Sequence, residues 1–294
     1  MSKSTYKDSE LILNKDGSVY HLHLLPEHIA ETVILVGDQG RVAQISKHFE
    51  KIEVEIQNRE FLTHTGTYRG NRISVLSTGI GTDNIDIVIN ELDAAVNFDL
   101  KTRELKPTRK SLNLIRIGTS GALHEDIPVG AFVISEFGLG FEGLIYYYKF
   151  NPSKKERKLG KEIVKHLKWD KNLAKPYVSA ASSELLDLLG EGMVKGITAT
   201  ASGFYGPQGR RLFLDLANPN MNQQLKSFSY KGNRITNFEM ETSALLGLGS
   251  MLGHRCCTCC AIIANRSIQA YSDNYKLIVD DLIITVLDRI STIK

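Results

Sequence analysis

No run of the 294-residue chain approaches the roughly 20 consecutive apolar residues that cross a bilayer. Residues 1–8 are polar and hold no apolar stretch, so neither a secretory leader nor a membrane partner is expected, and a cytoplasmic setting is. Charge of one sign is equally scarce. The 36 Lys and Arg residues face 33 Asp and Glu, a net of +3, and no basic stripe appears, which leaves no case for a nucleic-acid partner. The densest basic stretch, Lys154-Lys155-Glu156-Arg157-Lys158, is short and mixed and reads as the solvated start of a helix. Several catalytic signatures are missing: the P-loop with its lysine, His-Glu-x-x-His and Gly-x-Ser-x-Gly. The stretch from Gly79 to Asn84 begins like a dinucleotide-binding turn but has Asn84 where the third glycine belongs.

Cysteine is rare, and all of it sits in Cys256-Cys257-Thr258-Cys259-Cys260. The looping Cys-x-x-Cys spacing of a zinc knuckle is absent. The surrounding residues 255–264 read as a buried strand, whose side chains alternate between two faces and so divide the thiols. Cysteine here is expected as small buried core rather than as a metal or redox centre.

What is present is an ordinary globular composition, 42% hydrophobic and 23% charged. Apolar runs at 32–36, 72–77, 114–117 and 255–264 read as strands, and the first three stop at glycine-rich turns: Gly37-Asp38-Gln39-Gly40, Thr78-Gly79-Ile80-Gly81 and Gly118-Thr119-Ser120-Gly121. Between them run helical periods. Ile85, Val88, Ile89, Leu92 and Val96 share one face; Ala244, Leu245, Leu248 and Leu252 share another, closed by Gly253. A last amphipathic helix carries Ile278, Leu282, Ile283, Val286 and Ile290, with Ser272 or Asp273 as its expected cap. The alternation predicts a layered α/β fold in one domain, 1–294, with residues 99–113 as a polar surface excursion.

In such sheets ligands bind where strands end and turns expose backbone N–H groups. Arginines recur at these turns: Arg41, Arg59, and Arg116 inside an apolar strand. A guanidinium buried there needs an anionic partner, either an Asp or Glu of the protein or a bound phosphate. Asn237-Phe238-Glu239-Met240-Glu241 puts two carboxylates ahead of a helix; capping accounts for one, and the other is free for ligand hydroxyls. Phe204-Tyr205-Gly206-Pro207-Gln208-Gly209-Arg210 is either an ordinary surface turn or a reader of a flat heterocycle.

In order along the chain, these segments resemble the nucleoside phosphorylase-I family, and within it the uridine phosphorylases. The carrying motifs are 77–81, 116–121, Phe204…Gln208-x-Arg210 and Phe238-Glu239-Met240-Glu241. The resemblance implies a three-layer α/β/α sandwich around a mixed, partly barrelled sheet. It implies reversible phosphorolysis of uridine to uracil and ribose 1-phosphate, with no metal or organic cofactor and inorganic phosphate as co-substrate. Carried over by position, Gly37, Arg41, Arg116 and Thr119 hold phosphate, joined by Arg59 from a neighbouring subunit. His21, also from the neighbour, and Glu239, Met240 and Glu241 hold the ribose; Phe204, Gln208 and Arg210 bind the base. Arg116, Arg210 and Glu241 then carry the catalysis. The shared site implies a homo-oligomer, dimer or hexamer. Purine members place an Asp after the strand that follows the Glu-Met-Glu helix; here Ile263-Ala264-Asn265-Arg266-Ser267 has none, which favours a pyrimidine over a purine, with deoxyuridine, thymidine or a purine nucleoside as the alternatives to uridine. A non-catalytic nucleoside or phosphate binder and a nucleotide-cofactor oxidoreductase are the more distant readings. Two departures stand out: Gln39 replaces the usual proline after Gly37-Asp38, and Gly206-Pro207 inverts the usual Pro-Gly.

Overall fold

The computed structural model describes residues 6–293, so residues 1–5, on which part of the leader reading rests, lie outside it. β1 (Thr32–Val36) leads into α1 (Gln39–Ser46), and β2 (Lys51–Asn58), β3 (Phe61–Tyr68) and β4 (Asn71–Ser77) form an antiparallel meander ahead of α2 (Thr82–Asn97). A small hairpin of β5 (Phe98–Asp99) and β6 (Glu104–Leu105) precedes the long β7 (Asn113–Ala122) and β8 (Phe132–Gly140). Then come α3 (Lys154–Leu167), β9 (Tyr177–Ala180), α4 (Ser183–Leu189) and β10 (Val194–Thr200). The chain closes with α5 (Met221–Ser227), β11 (Ser229–Tyr230), β12 (Asn233–Glu239), α6 (Thr242–Met251), β13 (Arg255–Asn265), β14 (Ala270–Tyr271) and α7 (Tyr275–Ile290). Among the described residues no helix is long and apolar enough to cross a membrane.

A single 12-stranded sheet includes every strand except β5 and β6. Its order is β11-β12-β10-β8-β13-β7-β1-β4-β3-β2, with β14 beside β13 and β9 beside β8. Directions are mixed: β1 is parallel to β4 and β7, and β7 to β13, whereas β8 is antiparallel to β13. β12 pairs with β10 and also, antiparallel, with β7 through Asn237↔Ala122 and Phe238↔Gly121. That second pairing closes β7, β12, β10, β8 and β13 into a ring, the partly barrelled sheet expected from the resemblance.

Side-chain alternation sets the layers. Val33, Leu35, Leu114 and Cys256 pack against α2 and α6. Ile34, Val36, Ile115, Ile117, Cys257 and Cys259 point the other way, against α1, α4 and α7. The cysteines thus divide between two faces as core, all four buried and free. Burial pushes the Cys260 thiol up to about 12, so it stays protonated. A third cluster joins α3 and α5 to β10 and β12.

Three local expectations need correction. β7 does not stop at Gly118 but runs through Thr119-Ser120-Gly121 to Ala122, because β13 and β12 continue to pair with it there. α6 is buried on nearly every side rather than on one face, since it lies between β8, β9 and α2. Asn274, not Ser272 or Asp273, precedes α7, and its side chain makes no capping bond. The remaining readings fit. Ile85, Val88, Ile89, Leu92 and Val96 are buried on α2. The Lys154–Lys158 stretch opens α3 behind a Ser153–Glu156 capping box. Of residues 99–113, Asn113 already belongs to β7 and the rest run outside the 12-stranded sheet but are strapped to α2: the Asn97 side chain bridges Lys110 N–H and C=O, and Arg109 reaches Asp93 at 2.7 Å.

The close seat of α6 on β8 is set by glycine. A Cβ at Gly138 would stand 2.7 Å from Ser243 Cα, a backbone atom that cannot rotate aside. Gly138→Ala is therefore expected to lower stability by about 1–3 kcal/mol, read as a lower urea midpoint at unchanged slope. An unchanged midpoint would mean that α6 can retreat freely.

Candidate active site

A cleft of about 1160 Å³ opens where β1, β4, β7, β12 and β13 end. Its phosphate-like half is built on regular elements. Gly37 follows β1, Arg41 stands in the first turns of α1, and Arg116 and Thr119 project from β7; all four line the cleft. Arg116 is buried, and one of its terminal nitrogens makes a short ion pair with Glu241. Its Nε and Nη1 find no hydrogen-bond partner among the described residues. Burial opposes its charge, but Glu241 and then Glu239 outweigh that, and its pKa stands above the ordinary arginine value. Arg41 moves the opposite way, depressed by burial and next by the Arg116 charge. It has one weak bond, Nη1 to the Ile117 carbonyl at 3.3 Å. Two neighbouring guanidiniums with few partners are the kind of donor pair that suits an anion. Of the two partners left open for Arg116, Glu241 supplies the internal one, and its Nε and Nη1 stay buried without a partner among the described residues.

The two carboxylates divide their work. Glu239 accepts from Glu241 N at 2.9 Å, Thr242 N at 2.8 Å and Thr200 Oγ1 at 2.6 Å, so it caps α6. Glu241 accepts from Gly81 N at 2.9 Å as well as from Arg116, which links the β4–α2 turn to β7. Met240, between them, also lines the cleft.

The base-like half is built on loops. Gln208 is buried at the end of a short 3-10 turn, and its side-chain oxygen accepts from Arg210 Nη1 at 2.8 Å and Arg266 Nη2 at 3.0 Å. Guanidiniums only donate, so the amide oxygen must face them and its NH₂ is left to serve as donor. Phe204 is half exposed, with the Arg210 guanidinium 3.7 Å from its ring centroid.

A match to the phosphorylase superfamily spans residues 31–285. The chain is 33% identical over 258 residues to the uridine phosphorylase of Thermococcus kodakarensis, covering 86% of this chain and 79% of that one. This chain belongs to the phosphorylase superfamily. Among solved structures, it is similar to a Trypanosoma brucei nucleoside phosphorylase described as showing uridine phosphorylase activity. That likeness has a TM-score of 0.86 at 30% identity, over 95% of this chain and 98% of that one. A shorter likeness, 37% over 117 residues, reaches DeoD-type purine nucleoside phosphorylases of Listeria monocytogenes, covering 40% of this chain and 45% of theirs.

Two expected residues of this phosphorylase-superfamily chain lie outside its own cleft. His21 Nδ1 sits 2.6 Å from Glu91 Oε1, and Arg59 rests over Tyr20, 5.7 Å from the ring centroid, with Tyr20 edge-on to His21. They share one patch beside the cleft. Arg266 also lines the cleft, though the sequence marks its stretch only by the lack of an Asp. Burial, and then Arg210, depress its pKa to about 10. Asn265, beside it, is saturated. Its Nδ2 donates to the His124 and Ile127 carbonyls at 2.8 Å each, and its Oδ1 accepts from Ser267 N and Ile268 N.

Burial, reinforced by the Glu241 carboxylate, pushes Glu239 up to about 7 from the usual 4.5, against the pull of Arg116. A carboxyl whose pKa is raised in the fold contributes stability that is complete below its unfolded value and is lost as pH rises through the folded one. The melting temperature of Glu239→Gln minus that of the wild type should therefore grow between about pH 5 and 8, read by calorimetry at several pH values. A constant difference would place the titration elsewhere.

Proposed function

We propose that the chain catalyses the reversible phosphorolysis of pyrimidine nucleosides, uridine foremost, as a pentosyltransferase that yields uracil and ribose 1-phosphate. The observation that carries the choice of base is the Gln208 amide held between Arg210 and Arg266, in the same cleft that Arg41 and Arg116 line. A pyrimidine presents carbonyl oxygens to donors, and this wall offers little but donors. The saturated Asn265 supports the same choice, because it has no proton to give a purine nitrogen.

Phosphate held by Arg41, Arg116, Thr119 and the Gly37 turn lies beneath the anomeric carbon, so that attack becomes intramolecular in effect. A phosphate oxygen bonds to C1′ as the C1′–N1 bond breaks, and the electron pair passes to the departing base. Arg210 and the Gln208 amide donate to the base oxygens as that charge grows, which is where fixed donors lower the barrier most. Glu241 accepts from the ribose hydroxyls with its remaining lone pairs and, through Arg116, keeps sugar and phosphate in one register. Phe204 packs on the base. Met240 closes on the sugar. Glu239 acts behind them by anchoring α6. The scheme uses inorganic phosphate as co-substrate and draws on no metal or organic cofactor.

His21 and Arg59 reach no ligand of their own cleft, and their shared patch supports a homo-oligomer in which they complete a neighbour's site, His21 at the ribose 5′-hydroxyl and Arg59 at phosphate. With Glu91 as acceptor, Nδ1 carries the proton and Nε2 is left for that neighbour. The reaction fits cytoplasmic catabolism and salvage of pyrimidine nucleosides.

Uracil release from uridine, with and without phosphate, beside inosine and thymidine, tests the reading. Phosphate-dependent loss of uridine is expected. Turnover of inosine in its place would reassign the base wall, and cleavage without phosphate would make the protein a hydrolase. Arg210→Ala should lower kcat/KM for uridine by about 10²-fold or more while leaving the phosphate KM nearly unchanged, measured by steady-state kinetics.

A further inference from the structure

Arg59 occupies an unusual backbone position. It is the first of the two loop residues between β2 and β3, with φ 55°, the left-handed region that glycine favours. An arginine there carries a conformational cost, and among the described residues its guanidinium meets no carboxylate, only the face of Tyr20. The turn is instead held through its backbone. Gln39 Nε2 donates to the Arg59 carbonyl at 2.9 Å. The adjoining Asn58 donates its Nδ2 to the His21 carbonyl at 2.8 Å, so both outlying residues are fastened by amide side chains. Gln39 opens α1 directly behind Gly37 and Asp38, in the turn that shapes the anion site of its own subunit. Proline at this position, the usual residue in the family, has no side-chain donor and could not make the bond.

We infer that Gln39 is a positioning residue for phosphate in the adjacent subunit: it sets the pose of Arg59 by gripping that residue's carbonyl, and thereby ties the phosphate turn of one site to the arginine that completes the next. The inference rests on the reading in which Arg59 acts across a subunit interface. It is distinct from direct contact, because Gln39 also lines its own cleft and could touch the phosphate there.

Mixed oligomers separate the two. An Arg210→Ala chain has a disabled base site but an intact Arg59; an Arg59→Ala chain has a complete cleft but donates no guanidinium. Co-expressed with different tags and purified as the mixed species, the pair should regain phosphorolysis in the cleft of the Arg59→Ala chain. Gln39→Ala is then added to one chain at a time. Placed in the Arg210→Ala chain, it should raise the phosphate KM of the mixed enzyme roughly three- to tenfold, the range of one net hydrogen bond, with the uridine KM unmoved. Placed in the Arg59→Ala chain, it should change the phosphate KM by less than about twofold. The reverse pattern would make Gln39 a direct ligand and overturn the inference, as would no effect from either chain. Failure of the pair to regain any activity, with wild-type enzyme active, would overturn the cross-subunit reading itself and the inference with it. Loss of phosphorolysis in the wild type would instead sink the proposed function, so the three failures are distinguishable.

Discussion

Arg116 lies buried inside a strand at the floor of the cleft, and a guanidinium in that position is tolerated only with an anionic partner at hand. Glu241 meets that demand, and the pairing reaches well beyond two residues. Arg116 belongs to β7, the strand shared by β1, β13 and β12; Glu241 opens α6 and also accepts from Gly81 at the mouth of α2. One ion pair therefore fixes how the central strand, the buried helix and the β4–α2 turn meet. Breaking such a pair from one side leaves a lone charge in low dielectric, which costs several kcal/mol, about 3–5 in measured cases. The pair nevertheless leaves two donors of Arg116 without a partner among the described residues, the donors on which the proposed phosphate site draws.

Much of this was legible in the residues. The apolar runs of β1, β4 and β13 and the period of α2 follow directly from burial, and the cysteines divide across the sheet as alternation requires. Gly118 shows why a glycine can mislead. It reads as a turn, yet it sits within β7, where a Cβ would come 2.1 Å from Arg116 Nη1. The residue is small to make room for the guanidinium, not to bend the chain. The period of α6 hid its burial for a related reason: small residues permit contact all round, and a one-face pattern cannot register that. Spacing alone could not say which of Glu239 and Glu241 caps the helix, since that depends on where the β12–α6 junction turns. Arg266 escaped because its role depends on Gln208, far away in the chain, and no local pattern announces such a pairing.

The cleft is asymmetric in construction. Gly37, Arg41, Arg116, Glu239 and Glu241 stand on or beside the ends of regular elements, whereas Phe204, Gln208 and Arg210 stand on the loop after β10, and of the base-side residues only Arg266 directly follows a strand, β13. Regular elements hold groups at tight tolerances, which suits the common part of a reaction, the attack of phosphate on a sugar. Loops vary more readily, which suits the part that distinguishes one base from another. Like charges in the base wall, Arg210 against Arg266, are kept together by the single Gln208 oxygen between them.

The second pairing of β12, which closes the ring, has a consequence for how such a site can change. Strands in a closed ring cannot slide by a fraction of a residue, and a one-residue shift of register moves every side chain of the strand to the opposite face at once. The spacing between Arg116 and Glu241 is in that sense counted in whole steps, like teeth on a gear, while the rim loops adjust continuously. Gradual drift in sequence is then confined to the rim, and the floor either keeps its geometry or loses it altogether.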